Sequence, residues 1–323
     1  MTVFDPGEIL PFLEKAGWAD AERVPLAGDA SSRAYERLSL PSKAAILMKD
    51  PSSENMQRFV KITGILRQAG YSAPDIYAED VRNGLLLLED FDDRLLTQCI
   101  AAGASEKSLY SLAVDFLIDV RARKWPDSLP YFSASYVLDQ NVLFLDWFIP
   151  AQTGKKVPQN ARLFYQQIWQ QLLKPHDHLE EGLLLRDFHA ENILYLKDRA
   201  GLKSLGLIDY QDAMIGPAAY DLVSLLQDAR RDVPWELEEE MIQYYVAQTG
   251  VNDVEFRELY AILGAHRSLR ILGIFTRLAE QEGAVKYDAF MPRVKTHLRR
   301  NLAQPALLAL DHWLALTLGK ETL

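Results

Sequence analysis

LLLRDFHAENILYL, residues 183–196, is the stretch on which the reading of this chain turns. Two short apolar runs, each suited to a buried strand, bracket a loop carrying Asp187 and, five positions later, Asn192. A third apolar run, LGLID (205–209), ends on Asp209. An Asp and an Asn at this spacing are common loop caps when they stand alone. The order strand–Asp–loop–Asn–strand, then strand–Asp, is much harder to reach by accident. The oxygens of Asn and Asp are hard donors suited to Mg²⁺. With Asn192 and Asp209 on a metal, Asp187 is left to accept a proton from a hydroxyl. Phosphoryl transfer needs that division: a cation neutralises the phosphates while a base orients and deprotonates the nucleophile.

Outward from this loop the chain changes character once. Asp5 as N-cap, Pro6, Glu8 as the capping-box partner and Gly17 as stop predict a first helix. RAYERLSL (33–40) and AAILM (44–48) read as a hairpin closed around Pro41. Phe59, Ile62, Leu66 and Ala69 fall at helical spacing between a Ser52 or Ser53 cap and Gly70, and LLLLED (85–90) reads as a buried strand. From about residue 93 helices dominate, first with the stripe Leu109, Leu112, Ala113, Phe116, Leu117 and Val120, then over 160–180, then from Tyr220 onward with breaks near Gly250 and Gly283. The expected class is α+β. A lobe of residues 1–91 holds a small mixed sheet and one inserted helix, and a larger, mainly helical lobe holds residues 92–323.

The chain has 323 residues and is 49% hydrophobic, enough for one large domain or two lobes. Its formal net charge of −10 makes it a poor general partner for nucleic acid or an anionic membrane. One cysteine, Cys99, excludes a disulfide framework and a Cys-rich metal site. The first residues lack the basic-then-apolar pattern of a secretory signal, and no apolar run reaches membrane-span length. The expectation is a cytoplasmic protein with a small-molecule substrate and no obligate protein partner.

RDFHAEN, IDYQDA and GPAAYDLVSLL together resemble the aminoglycoside phosphotransferase and choline kinase-like family, which shares the protein-kinase bilobal fold. The resemblance covers nearly the whole chain. It implies Asp187 as catalytic base, Asn192 and Asp209 as metal ligands, and Asp221 as a prop for the catalytic loop. Two positions bear on the loop: Leu185 stands where the family usually has His, and His189 lies two residues after the base. His189 is read either as a contact to the transferred phosphate or as a hydrogen-bonding loop residue. For ATP, the resemblance sets GDASSRAYERL (28–38), with Ser31 and Ser32, over the phosphates, although no GxGxxG is present. It makes Lys49 the phosphate-binding lysine, with Glu54, the only carboxylate of the following helix, as its partner. It places the adenine against the backbone around Glu89 and Phe91.

The segment between Asp209 and Asp221 is too short to dock a polypeptide, so the acceptor is expected to be small. HRSLRILGIFTRLAEQEG (266–283), with the catalytic motifs, is similar to bacterial N-acetylmuramate/N-acetylglucosamine anomeric kinases of cell-wall sugar recycling. That similarity implies a sugar 1-phosphate as product. Trp147 is a candidate for stacking on the sugar, against simple core packing, and Arg267 for a sugar carboxylate, against a surface ion pair. Other readings of the same residues are an aminoglycoside or other small-molecule kinase, and a module that binds nucleotide without turnover.

Overall fold

The computed structural model describes residues 6–26, 33–174 and 181–319. Helix α1 runs Pro6–Ala16 and stops at Gly17, whose φ of 74° is easy only for glycine; the Asp5 cap lies outside the described residues. Strands β1 (Glu22–Leu26), β2 (Ala34–Leu40) and β3 (Lys43–Lys49) follow, the last two joined by a two-residue turn at Pro41 and Ser42. Helix α2 (Ser53–Gln68) is capped by Ser52, whose hydroxyl accepts from the Asn55 amide at 3.2 Å. Strands β4 (Ile76–Asp80) and β5 (Leu85–Glu89) complete a five-stranded sheet in the order β1-β2-β3-β5-β4. Every pairing in it is antiparallel, so the sheet is not mixed.

The run of four leucines in β5 is explained by burial on both faces. Leu85 and Leu87 join Ile9, Phe12 and Leu13 of α1 in one cluster with Leu38 and Leu47. Leu86 and Leu88 are equally buried and, by strand alternation, point the other way. At the opposite edge β1 is almost wholly exposed and carries Pro25, which suits an unpaired edge.

The chain continues through α3 (Leu96–Ala101), α4 (Glu106–Arg121), α5 (Ala134–Leu143), a π-helical turn at Phe144–Phe148, α6 (Ile149–Thr153) and α7 (Gln159–Leu173). Short strands β6 (Glu181–Leu184), β7 (Ile193–Tyr195), β8 (Leu205–Leu207) and β9 (Met214–Pro217) form two separate antiparallel pairs, β6 with β9 and β7 with β8. Helices α8 (Ala219–Leu226), α9 (Trp235–Thr249), α10 (Asp253–Glu282), α11 (Met291–Leu302) and α12 (Leu308–Leu318) finish it. Gly250 and Gly283 end α9 and α10 in left-handed backbone, as the sequence predicts.

The residues pack as two units: Met1–Leu112 with Ala190–Asp212, and Ala113–His189 with Ala213–Leu323. The division differs from a single cut after residue 91, because the β7–β8 hairpin belongs with the first unit. A parallel bridge joins Ser72 to Gly206, with Leu207 N donating to Ser72 O at 2.8 Å, and a second bridge joins Leu95 to Leu194.

In the second unit the 30-residue α10 is the central element, packed against α5, α8, α11 and the π-helical turn. Gly273 allows this: a Cβ there would lie 2.5 Å from both the Leu143 carbonyl carbon and the Phe144 nitrogen. Among the described residues no helix is long and apolar enough to cross a membrane.

Candidate active site

In the first unit the β7–β8 hairpin brings the two expected metal ligands to one end of a ladder. Ile193 pairs with Leu207, and one step further Ile208 N donates to Asn192 O at 3.2 Å, so Asn192 and Asp209 flank the same strand ends. Asp209 has a left-handed φ of 58°. A non-glycine residue in this region costs on the order of 1–2 kcal/mol, and such positions gather at functional sites. The next residue anchors the turn: the Tyr210 hydroxyl lies 2.7 Å from Thr63 Oγ1, and its ring stacks on Phe59 at 5.3 Å.

Arg33 donates from Nη1 to Asp209 Oδ1 and to Gln211 Oε1, both at 3.0 Å, and its Nε lies 3.3 Å from Asp50 Oδ2. A cation is therefore already drawn to the carboxylate that is left 44% exposed. An all-oxygen pair beside a site that attracts positive charge fits a hard divalent ion. Among the described residues no cluster of three or more His, Cys, Asp or Glu offers another metal site.

Lys49 ends β3, and the carboxylate set against it is Glu36 of β2, which also accepts from Arg23 Nε at 2.7 Å. Burial pushes the Glu36 carboxyl up, but the bonds from Arg23 and Lys49 outweigh it and hold the group below its ordinary range. Glu54 is not the partner; it stands exposed in the first turn of α2. Strand register decides this. Ala34 pairs with Lys49 and Glu36 with Leu47, so Glu36 and Lys49 are diagonal neighbours on one face of the sheet.

Glu89 does not offer its amide to a base either, since that N–H donates to Asp75 O at 2.8 Å while its carboxylate pairs with Arg199. Phe91 is buried, lies under Arg199 at 5.3 Å and packs where a Gly206 side chain would sit. Ser31 and Ser32 lie outside the described residues.

The second unit holds Asp187. The loop carrying Asp187 leaves β6 and is fixed from below by Asp221 of α8, which accepts from Leu185 N at 2.5 Å and Arg186 N at 2.8 Å. Arg186 takes a left-handed φ of 73°, and Phe188 stacks on Phe116 at 5.2 Å. The leucine in place of the family's histidine is buried and keeps its backbone bond, so the loop is held without an imidazole. Burial pushes the Asp221 carboxyl up to about 7 against the pull of the two amide bonds. For Asp187 the balance goes the other way. Burial alone would raise it, but Arg270, then Arg186, hold it below the ordinary carboxylate range, so it is ionised at neutral pH.

His189 is buried, and burial lowers its pKa to about 4, so the ring is neutral. Arg230 Nη1 lies 3.1 Å from Nε2. A guanidinium can only donate, so Nε2 accepts and the proton resides on Nδ1. His189 thus cannot act as a cation in the manner of a lysine. Trp147 is half-buried within the π-helical turn, a kind of irregularity that often marks function. Arg267 is buried and donates to Ser224 Oγ at 3.0 Å, so it is neither a surface ion pair nor open to solvent. Arg270, not singled out by the sequence, is half-buried and donates from Nε to Gln140 at 3.0 Å.

The profile of the phosphotransferase enzyme family matches residues 22–260. The chain is 32% identical over 340 residues to the N-acetylmuramate/N-acetylglucosamine kinase of Caulobacter vibrioides, covering 94% of this chain and 93% of that one. Among solved structures, choline kinase LicA from Streptococcus pneumoniae aligns with a TM-score of 0.65 at 15% identity, over 91% of this chain and 99% of its own. APH(2")-IIa in complex with gentamicin aligns with a TM-score of 0.63 at 15% identity, over 96% and 99%. The fold is protein-kinase-like, as its residues predict.

Proposed function

The chain belongs to the phosphotransferase enzyme family and is a small-molecule kinase; from that premise we propose that it moves the terminal phosphoryl group of ATP to a hydroxyl of an amino sugar. The acceptor we favour is the anomeric hydroxyl of N-acetylmuramate or N-acetylglucosamine, the sugars in the name of the Caulobacter relative. The observation that carries this reading is the state of Asp187. It sits on a loop that Asp221 holds by two backbone amides, and neighbouring arginines keep it ionised.

In this reading Asp187 accepts the proton of the attacking hydroxyl. A bond forms between that oxygen and the terminal phosphorus, the bond from phosphorus to the bridging oxygen breaks, and ADP leaves. A base held well ionised is a weak proton acceptor, which suits a loose transfer in which orienting the hydroxyl matters more than deprotonating it early. Mg²⁺, when bound, supplies charge neutralisation at the phosphates, and Asn192 and Asp209 are the residues that would hold it. Lys49, set by Glu36, is assigned to the nucleotide phosphates. An ADP-release assay over N-acetylmuramate, N-acetylglucosamine, choline and a kanamycin-type aminoglycoside tests the assignment. Turnover restricted to the amino sugars supports it. Turnover of choline or the aminoglycoside alone, or ATP binding with no acceptor turned over, would overturn it.

A further inference from the structure

In a protein of net charge −10, arginines are expected to find carboxylates. Two of those that act on Asp187 also donate to neutral groups: Arg270 to Gln140 and Arg267 to Ser224 Oγ. Arg186, next to the base, lies over the ring of Tyr136 at 5.5 Å. Arg270 is placed by helix pairing. His266 Nδ1 lies 2.9 Å from Asn141 Oδ1, and one turn later Arg270 Nε reaches Gln140, so α10 and α5 are locked together at the level of the loop. Arg270 and Arg186 are both half-buried.

A partly desolvated guanidinium held by a neutral amide is a poor arrangement for an empty protein and a good one for binding an oxyanion, which it grips through parallel N–H bonds. The same cations repel a polycationic acceptor. Two oxyanions are at issue: a carboxylate on the acceptor and the phosphoryl group in transit. The base must stand beside the acceptor hydroxyl, and Arg270 is the charge that acts most on that base. N-acetylmuramate differs from N-acetylglucosamine by a lactyl ether that ends in a carboxylate.

We propose that Arg270, held by Gln140 and assisted by Arg186, forms a subsite for a carboxylate carried by the acceptor, so that the chain prefers the acidic amino sugar to the neutral one. The inference rests on the amino-sugar reading above and adds the acceptor's charge and the residues that sense it.

The test compares kcat/KM for N-acetylmuramate and N-acetylglucosamine in the wild type, Arg270→Gln and Arg270→Lys. The wild type is expected to favour the acid. Arg270→Gln should shift the ratio against the acid by roughly ten- to a hundred-fold, mostly through KM, the loss of a hydrogen bond to a charged group. Arg270→Lys should recover part of it. If Arg270 acts only through Asp187 or on the transferred phosphate, both sugars slow by the same factor and the ratio stays put, which overturns the subsite. Should Arg270→Gln fail to fold, the wild type assayed with the lactyl methyl ester answers the same question: an ester as good as the acid overturns the proposal, and one reduced to the level of N-acetylglucosamine supports it. If the wild type phosphorylates neither sugar, the amino-sugar reading and the subsite fall together; a constant ratio with both turned over sinks the subsite alone.

Discussion

Asp187, half-buried, and Asp221, buried, are two aspartates of the same unit, pushed in opposite directions by what surrounds them. The ionised one is assigned to the substrate hydroxyl and the other to the loop. Asp187→Asn keeps the shape and removes the acceptor, so turnover should fall on the order of 10³-fold or more while ATP affinity, measured by calorimetric titration, barely moves. Asp209→Ala should abolish Mg-dependent nucleotide binding in the same titration; unchanged affinity would refute its assignment to the metal. The partner of Lys49 is separable too. Glu36→Gln should raise the KM for ATP about tenfold by freeing the lysine, whereas Glu54→Gln should leave it unchanged. Glu36 was in fact legible. A two-residue turn at Pro41 and Ser42 pairs Ala34 with Lys49, and counting back along RAYERL sets Glu36 diagonal to the lysine. The resemblance to kinases drew attention to the helix instead. Arg270 was not legible, because its role depends on α5 packing beside α10, a contact between residues 130 positions apart.

At the level of elements, the loop that carries Asp187 is held by a helix rather than by its own sequence. Asn at position 221 can accept one backbone N–H, but its NH₂ then faces the second donor. Asp221→Asn should therefore lose a charge-assisted bond, worth about 1.5–3 kcal/mol, and lower kcat ten- to a hundred-fold with nucleotide binding retained. Steady-state kinetics beside an ATP titration separates the two. The π-helical turn makes a second element-scale test. Gly273→Ala sets a Cβ 2.5 Å from backbone atoms of Leu143 and Phe144, so α10 must shift away from the turn that carries Trp147. Thermal unfolding should show a loss of about 1–3 kcal/mol. Gly64→Ala, in α2 with nothing within 4 Å of the new Cβ, should instead gain up to about 1 kcal/mol. Most helices and the principal strands could be read from periodicity and caps. The exceptions follow from their physics: β1 is an exposed edge with a proline, β9 lies in a Gly-Pro segment, and a π-helical turn leaves no periodic trace in five residues.

For the molecule as a whole, three buried histidines set the response to acid. Burial lowers His189 and His297 to about 4 and His266 to about 3, from 6.5 in the unfolded chain. The unfolded state binds these protons first as pH falls, so the stability they contribute is present above 6.5 and lost on the way down to 4. Asp221 opposes them, since its folded pKa of about 7 lies above the unfolded value and the folded state takes that proton earlier. Three against one leaves a net uptake of about two protons on unfolding in this window. The melting temperature should accordingly drop between pH 6.5 and 4, and His297→Gln should flatten the slope. Fold class was readable over most of the chain because the apolar pattern changes once, from sheet to helix. The attachment of 190–212 to the first unit was not, because it rests on bridges from Ser72 to Gly206 and from Leu95 to Leu194, pairs far apart along the chain. The most direct measurement of the central claim is ³¹P NMR of the product formed from ATP and N-acetylmuramate, with Asp187→Asn run in parallel. The account predicts a sugar 1-phosphate resonance coupled to the anomeric proton, which the variant fails to produce. Inorganic phosphate alone, or the same sugar phosphate at an undiminished rate from the variant, would contradict it.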